Sequence, residues 1–168
     1  GDNLTFETAN TERMRIDSTG AVTLPFQPAF SAHKNSSSQS NIVTGIDTLV
    51  TFGTERFDVN LDYNTSTSKF TAPVTGKYFL SVSLRFANFD IDADYIILIL
   101  LTSNEAYRFI IDPNFSADLN FFTMTSTVLA DMDAGDTAEV GYSQSGGQPI
   151  VDIDGSPNYT YFTGCLVC

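Results

Sequence analysis

Tryptophan is absent from the 168 residues, histidine occurs once, and cysteine occurs twice, both in the closing Cys165-Leu166-Val167-Cys168. Each shortage removes a class of function. A lone His33 leaves a histidine-based triad with one candidate base, and no G-x-S-x-G elbow, P-loop or dinucleotide fingerprint accompanies it. His33 therefore reads as a surface residue and the chain as non-enzymatic. Its Asp residues could supply a carboxylate pair, but nothing in the sequence implies a cleft to hold one. The cysteines have redox-motif spacing, yet they end a strand instead of opening a helix, where a thiolate would be stabilised. Side chains three apart on a strand face opposite ways, so Cys165 is expected as a buried apolar residue and Cys168 as a free end able to pair between subunits.

Positive charge is the next scarcity. Eight Lys+Arg stand against 20 Asp+Glu, giving a formal charge of −12 and a pI near 4.1. A duplex needs a basic face to displace its counterions, and an anionic bilayer attracts basic segments, so nucleic acid and membrane insertion are excluded as partners. The charge is uneven: residues 87–168 carry 12 acidic side chains against Arg108 alone. Long apolar runs are missing too. Tyr95–Leu101 is the longest, at seven residues, where a bilayer crossing takes about 20. The chain begins with Gly1 and no secretory leader follows, which reads as a piece of something longer.

What is present is β-forming. Fourteen Phe, seven Tyr and twenty Thr suit pleated surfaces, and no long segment repeats its apolar residues every 3.6 positions. Leu4–Leu24 predicts two or three short strands closed by the Ser18-Thr19-Gly20 turn, a unit too small to bury an apolar face unaided. Pro25 and Pro28 punctuate the chain, dividing it into residues 1–27 and 28–168. From Ala29, strands are expected near Ala29–His33, Val50–Phe52, Arg56–Val59, Lys77–Phe89, Tyr95–Thr102, Ala106–Ile111, Asn120–Ala130, Thr137–Gln144 and Asn158–Cys168. Lys77–Phe89 alternates Tyr78, Leu80, Val82, Leu84 and Phe86 with a mostly polar set, as on a sheet covered from one side. About ten such strands predict an antiparallel jelly-roll sandwich. Tyr95–Leu101 is apolar on both faces, which places it either in a subunit interface or beneath another part of the chain.

One stretch carries a more specific pattern. Phe52 is followed at fixed spacing by Asp58, Tyr63, Phe70 and Gly76, then by Tyr78, Leu80 and Val82 at alternate positions. This resembles the signature of the complement-one-q globular domain, which is related in fold to tumour necrosis factor. Leu80 and Val82 stand where that family usually has aromatics. The flanks agree: Pro28–Ala32 resembles the opening strand, Ala134-Gly135-Asp136 the turn into the penultimate strand, and Tyr161–Val167 the closing strand. The resemblance implies a homotrimer. Its signature residues read as core and as nothing else. Leu4–Thr8 and Glu12–Gly20 also resemble the short β units of bacteriophage tail-fibre and virion-appendage proteins, where they join an upstream fibre shaft to a tip.

Two acidic segments are the candidate metal sites. Asp90, Asp92 and Asp94 alternate in one loop, and Asp152 and Asp154 lie in the last long loop. Strand order puts both at the end away from the termini, where hard oxygens suit calcium. The loop lacks the glycine and distal glutamate of a helical calcium loop, and solvated acidic loops are the competing reading. The resemblance allows calcium near the apex. The same end holds Asp112–Leu119 and Gln144–Asn158, whose Asn114, Phe115, Ser145, Gln148 and Asn158 suit contacts with a surface glycan or protein. The resulting expectation is the receptor-binding tip of a phage fibre on the virion, engaging a host surface molecule. The alternatives are a secreted or cell-surface complement-one-q-like adhesion module, or a trimerisation domain that binds nothing.

Overall fold

A computed structural model describes residues 2–168, and every regular element in them is a β-strand. Gly1, the first residue of the expected shaft segment, lies outside the described residues. Among the described residues no helix is long and apolar enough to cross a membrane.

The first unit is a three-stranded antiparallel sheet of β1 (Leu4–Thr8), β2 (Thr11–Ile16) and β3 (Val22–Thr23). Ala9 and Asn10 turn β1 into β2 with φ of 51° and 57°, the two-residue geometry that matches strand twist. Asp17 holds the second turn, its carboxylate accepting from the Thr19 amide at 2.8 Å, the Thr19 hydroxyl at 2.7 Å and the Ala21 amide at 3.0 Å.

The remaining strands are β4 (Ala29–His33), β5 (Gln39–Val43), β6 (Thr48–Leu49), β7 (Thr54–Asp58), β8 (Tyr63–Asn64), β9 (Lys69–Thr71), β10 (Gly76–Phe89), β11 (Ala93–Thr102), β12 (Ala106–Ile111), β13 (Leu119–Met132), β14 (Thr137–Gly146), β15 (Ile150–Ile153) and β16 (Tyr161–Leu166). They form a jelly-roll sandwich of two antiparallel sheets. One runs β5-β15-β10-β16-β4-β7, with β13 along the other edge of β10. The second runs β12-β11-β14-β9-β8, with β6 also on β14. The strands expected from the sequence are present, shifted by a few residues at their ends, except Val50–Phe52, which is irregular chain between β6 and β7. Four more, β5, β8, β9 and β15, are two to five residues long, too short for alternation to announce them. β15 places Asp152 inside a strand, where the sequence suggested a loop.

The signature residues pack between the sheets. Phe30 stacks on Tyr63 at 5.1 Å and on Phe70 at 4.6 Å, and meets Phe162 edge-on at 4.9 Å. Phe52, Tyr78, Leu80 and Val82 are fully buried around this stack. Asp58 is the polar member: its two carboxylate oxygens accept from the Asp62 and Tyr63 amides at 3.1 and 2.8 Å and shape the turn that aims Tyr63 inward.

The run from Ile96 to Leu101 is covered by its own chain, while Tyr95 is exposed. Ile97 and Ile99 face away from the core but are only 9% and 3% exposed. Arg108 is the cross-strand neighbour of Ile99, and Gly141 is its neighbour on the other side. Arg108 reaches Asp47 at 2.7 Å, beyond β14, so its side chain runs over this row. Gly141 leaves room beneath, since a Cβ there would sit 3.4 Å from Ile99. The interface reading of this strand is therefore replaced by an intrachain one: a long cationic stem serves as an apolar lid.

Gly76 separates two explanations of a signature glycine. Its backbone is not left-handed; instead, a Cβ would lie 2.6 Å from both the Cys168 carbonyl oxygen and the Leu166 side chain. The residue is required for close approach of the C-terminal strand, and not for the turn. Gly76→Ala should cost about 1–3 kcal/mol by overpacking. Gly53→Ala, where a Cβ meets nothing within 4 Å, should stay within about 0.5 kcal/mol. Urea denaturation of the two variants checks the contrast.

Candidate functional site

Register places both ends of the sandwich. The chain enters β4 and leaves β16 at the base, where the Leu166 amide bonds the Pro28 carbonyl at 2.9 Å. The opposite end, the tip, gathers the β5–β6, β10–β11, β12–β13 and β14–β15 connections, while the β4–β5 and β15–β16 connections lie lower in the tip half, level with Leu84 and Arg85 of β10.

Asp90 organises one half of the tip. It is 8% exposed, accepts from the Asp92 amide at 2.9 Å, and accepts from the Gln148 amide through its second oxygen. Gly146 and Gly147, both at φ 69°, bring the β14–β15 backbone against this loop. A Cβ on Gly147 would sit 2.5 Å from Asp90 Oδ2 and one on Gly146 2.8 Å from the Asp94 amide, so both positions need glycine for space as well as for φ. Ser145 donates to Asp94 at 3.2 Å, and the Ile91 amide donates to Asp118 at 3.1 Å. Phe115 closes the assembly against Phe89 and Phe122, at 6.3 and 5.7 Å. Three loops are thus stitched together at the end of the sandwich that also carries Asn114, Phe115, Ser145 and Gln148, with Asn114 exposed.

Asp152 and Asp154 belong to the other half. Asp152 accepts from the Asn41 amide at 2.8 Å. Asp154 pairs with Arg85 at 2.8 Å and accepts from the Ser156 amide at 2.8 Å. Burial alone would raise the Asp154 carboxyl, but the Ser156 and Arg85 hydrogen bonds outweigh it and hold the group below the ordinary aspartate range. Arg85 also lies over two rings, 3.8 Å from the centre of Tyr159 and 4.6 Å from that of Phe121. Asn158 is exposed on this side, apart from the other four candidates. The five aspartates do not share one centre, and among the described residues no group of three His, Cys, Asp or Glu is placed to hold a metal ion. Cys165 is half-buried and Cys168 exposed, both free.

A cavity of about 290 Å³ opens beside this half, lined by Lys34, Asn35, Ser37, Ser38, Gln39, Thr51 and Gly53. Lys34 is 4% exposed, and its ammonium donates to the Thr51 carbonyl at 3.1 Å and hydroxyl at 3.2 Å. Among the described residues it meets no carboxylate within salt-bridge distance, so burial lowers its pKa from 10.5 to about 8. A single lysine after a strand, before a Ser-rich loop, carries no sequence mark of such burial. It depends on Thr51 arriving from β6–β7.

Two outcomes follow from this geometry. Because Lys34 titrates lower when folded, the native state binds fewer protons between pH 8 and 10.5, and stability should rise across that window. Burial raises Tyr63 and Tyr142 above their ordinary 10.0, so stability should fall again once unfolded tyrosine ionises above about pH 10. Denaturant midpoints from pH 7 to 11 should therefore peak near pH 9–10, and Lys34→Met should remove the rising limb. Gly147→Ala should cost about 1–3 kcal/mol through left-handed strain and the collision with Asp90, and hydrogen exchange should locate the loss at residues 90–94 and 145–148.

The comparisons agree with this fold. The C1q domain family matches residues 29–167. The globular domain of zebrafish complement 1qA protein is 18% identical, with a TM-score of 0.60, over 84% of this chain and 98% of that one. Murine APRIL is 12% identical, with a TM-score of 0.60, over 84% and 99%. Eiger TNF from S. frugiperda is 14% identical, with a TM-score of 0.58, over 84% and 94%. No curated protein matches the chain. With 139 consecutive residues matched and the signature side chains in its core, the chain belongs to the C1q domain family.

Proposed function

We propose that the chain is a non-enzymatic, extracellular C1q-like binding module that works as a homotrimer and recognises a surface glycan or protein through its tip loops. The observation that carries this reading is the outward face of β10 and β13. Phe79 and Ser81 of β10 stand beside Leu129 and Thr127 of β13, and Thr125 continues the row where Ser83 is covered by Tyr159, forming a strip without net charge on a molecule of −12. The charges at its two ends are internally paired, Lys77 with Asp131 at 2.6 Å and Arg85 with Asp154 at 2.8 Å. Such a strip suits contact with another copy of the same acidic chain, and trimers are usual in this family. A trimer also sets three tips side by side, so that individually weak contacts add through effective concentration.

A second reading, the receptor-binding tip of a phage fibre on the virion, is favoured by one feature outside the C1q domain. The β1–β3 sheet precedes the domain and suits a junction with an upstream shaft. Host attachment would then be the biological use of the same trimer and the same loops.

Light scattering at micromolar concentration should give about three times 18.3 kDa. Leu129→Glu, at a position 60% exposed in one chain, should leave the fold intact and weaken association at least about tenfold. A monomeric wild type would refute the assembly. Surface binding is tested on glycan arrays and envelope preparations, where substituting both Asn114 and Gln148 with Ala should reduce capture without changing mass. Intact binding by that variant would refute the tip assignment.

A further inference from the structure

The β1–β3 sheet has one apolar face that the described residues leave largely open. Register puts Leu4, Phe6, Met14, Ile16 and Val22 on that face: Leu4 pairs with Ile16, Phe6 with Met14, and Ile16 with Val22. The other face carries Thr5, Arg15 and Thr23. Leu4, Phe6 and Val22 are each more than half exposed. A three-stranded sheet this small needs its apolar face covered to hold together in water, and the described residues leave that face open.

We infer that the cover is the same face of two further copies of this chain, so that residues 4–24 fold as a three-chain bundle coaxial with the C1q-domain trimer. The inference rests on the trimer proposed above. Three observations point to this occupant. The sheet is delivered at the base of the same large sheet whose β10–β13 edge carries the strip proposed for association, because the intervening chain is tied to its β16 and β7 side: Gln27 donates to the Leu166 carbonyl at 3.1 Å and Asn60 to the Phe26 carbonyl at 3.0 Å. Three copies would therefore arrive around one axis at high effective concentration. Second, the segment's own net charge is only −2. Residues 1–27 hold Asp2, Glu7, Glu12 and Asp17 against Arg13 and Arg15, far from the imbalance of residues 87–168. Glu12 and Arg15 moreover pair at 2.6 Å within the sheet. Third, the apolar side chains lie in adjacent rows on one surface, which lets identical copies pack by symmetry without a separate partner.

Trypsin reads this directly, because Arg13 and Arg15 in β2 are the only cleavage points before Lys34. In the full chain at micromolar concentration, cleavage at these two sites should be at least tenfold slower in the wild type than in a Phe6→Ser/Val22→Ser variant, with both trimeric by light scattering. Leu129→Glu, which separates the domains, should expose the same two bonds. A trimeric wild type cut as fast as the double variant would overturn the inference while leaving the trimer standing. Protection that survives in monomeric Leu129→Glu would also overturn it, since the sheet would then be stable alone. A monomeric wild type would instead show in the mass, and would overturn the trimer with everything built on it.

Discussion

The aromatic stack around Phe30 is the contact on which the sandwich depends, because it is shared by both sheets. Phe30 and Phe162 come from β4 and β16, whereas Tyr63 and Phe70 come from β8 and β9 of the opposite sheet. Two short strands could not hold their places by ladder hydrogen bonds alone. They are held because large rings at 4.6–5.1 Å contribute burial and oriented stacking together. Tyr63 adds a polar tie, donating to the Phe52 carbonyl at 3.2 Å, so the ring that closes the core also orients the β6–β7 segment. That segment carries Thr51 to Lys34. The buried amine in the tip half is in this sense a consequence of packing on the core stack.

β10 transmits the same order outward. Thirteen of its fourteen residues pair with β13 on one side, and Tyr78–Ser83 pair with β16 and Phe86–Ala87 with β15 on the other. Inward, Tyr78, Leu80, Val82, Leu84 and Phe86 are fully buried; outward, the same strand presents the strip with no net charge. A strand fixed on both edges cannot shift register without turning its core face to water. The outward surface is therefore as well determined as the core, which is what a rigid interface between copies demands. At the tip end Phe86 and Phe89 continue the core under the loops, and Phe115 packs on Phe89, so loop order is inherited from β10 too.

Legibility in the sequence follows the range of the interaction. Alternation along Lys77–Phe89 and the spacing from Phe52 to Val82 are local, and they specified the class, the core and the family resemblance. The tip loops were also placeable, since strand order alone decides which turns share an end. Contacts between distant segments were not legible. Nothing in Asp90 indicates that its carboxylate binds the Gln148 amide 58 residues away, nor in Asp152 that it serves Asn41. Both read as free ligands because a carboxylate's partner is invisible until the fold brings it. Tyr95–Leu101 failed for the same reason in reverse: its second apolar face was correctly seen, but its cover, Arg108 reaching to Asp47, is a charged pair that composition assigns to solvent.

The uneven charge acquires a physical meaning once these partners are known. Many acidic groups of the second half act as staples: Asp90, Asp94 and Asp118 hold the tip loops, while Asp136 accepts from the Asp133 amide and from Asn104 at the base. Short carboxylates that accept backbone N–H groups fix irregular loops that no ladder can fix. Their charge stays near the two ends, away from the β10–β13 strip. Three copies can therefore meet along their sides while like charges remain spread over tip and base, where water and salt screen them. Strong acidity is thus compatible with the proposed self-association, because the face that would meet another copy is the one from which net charge is missing.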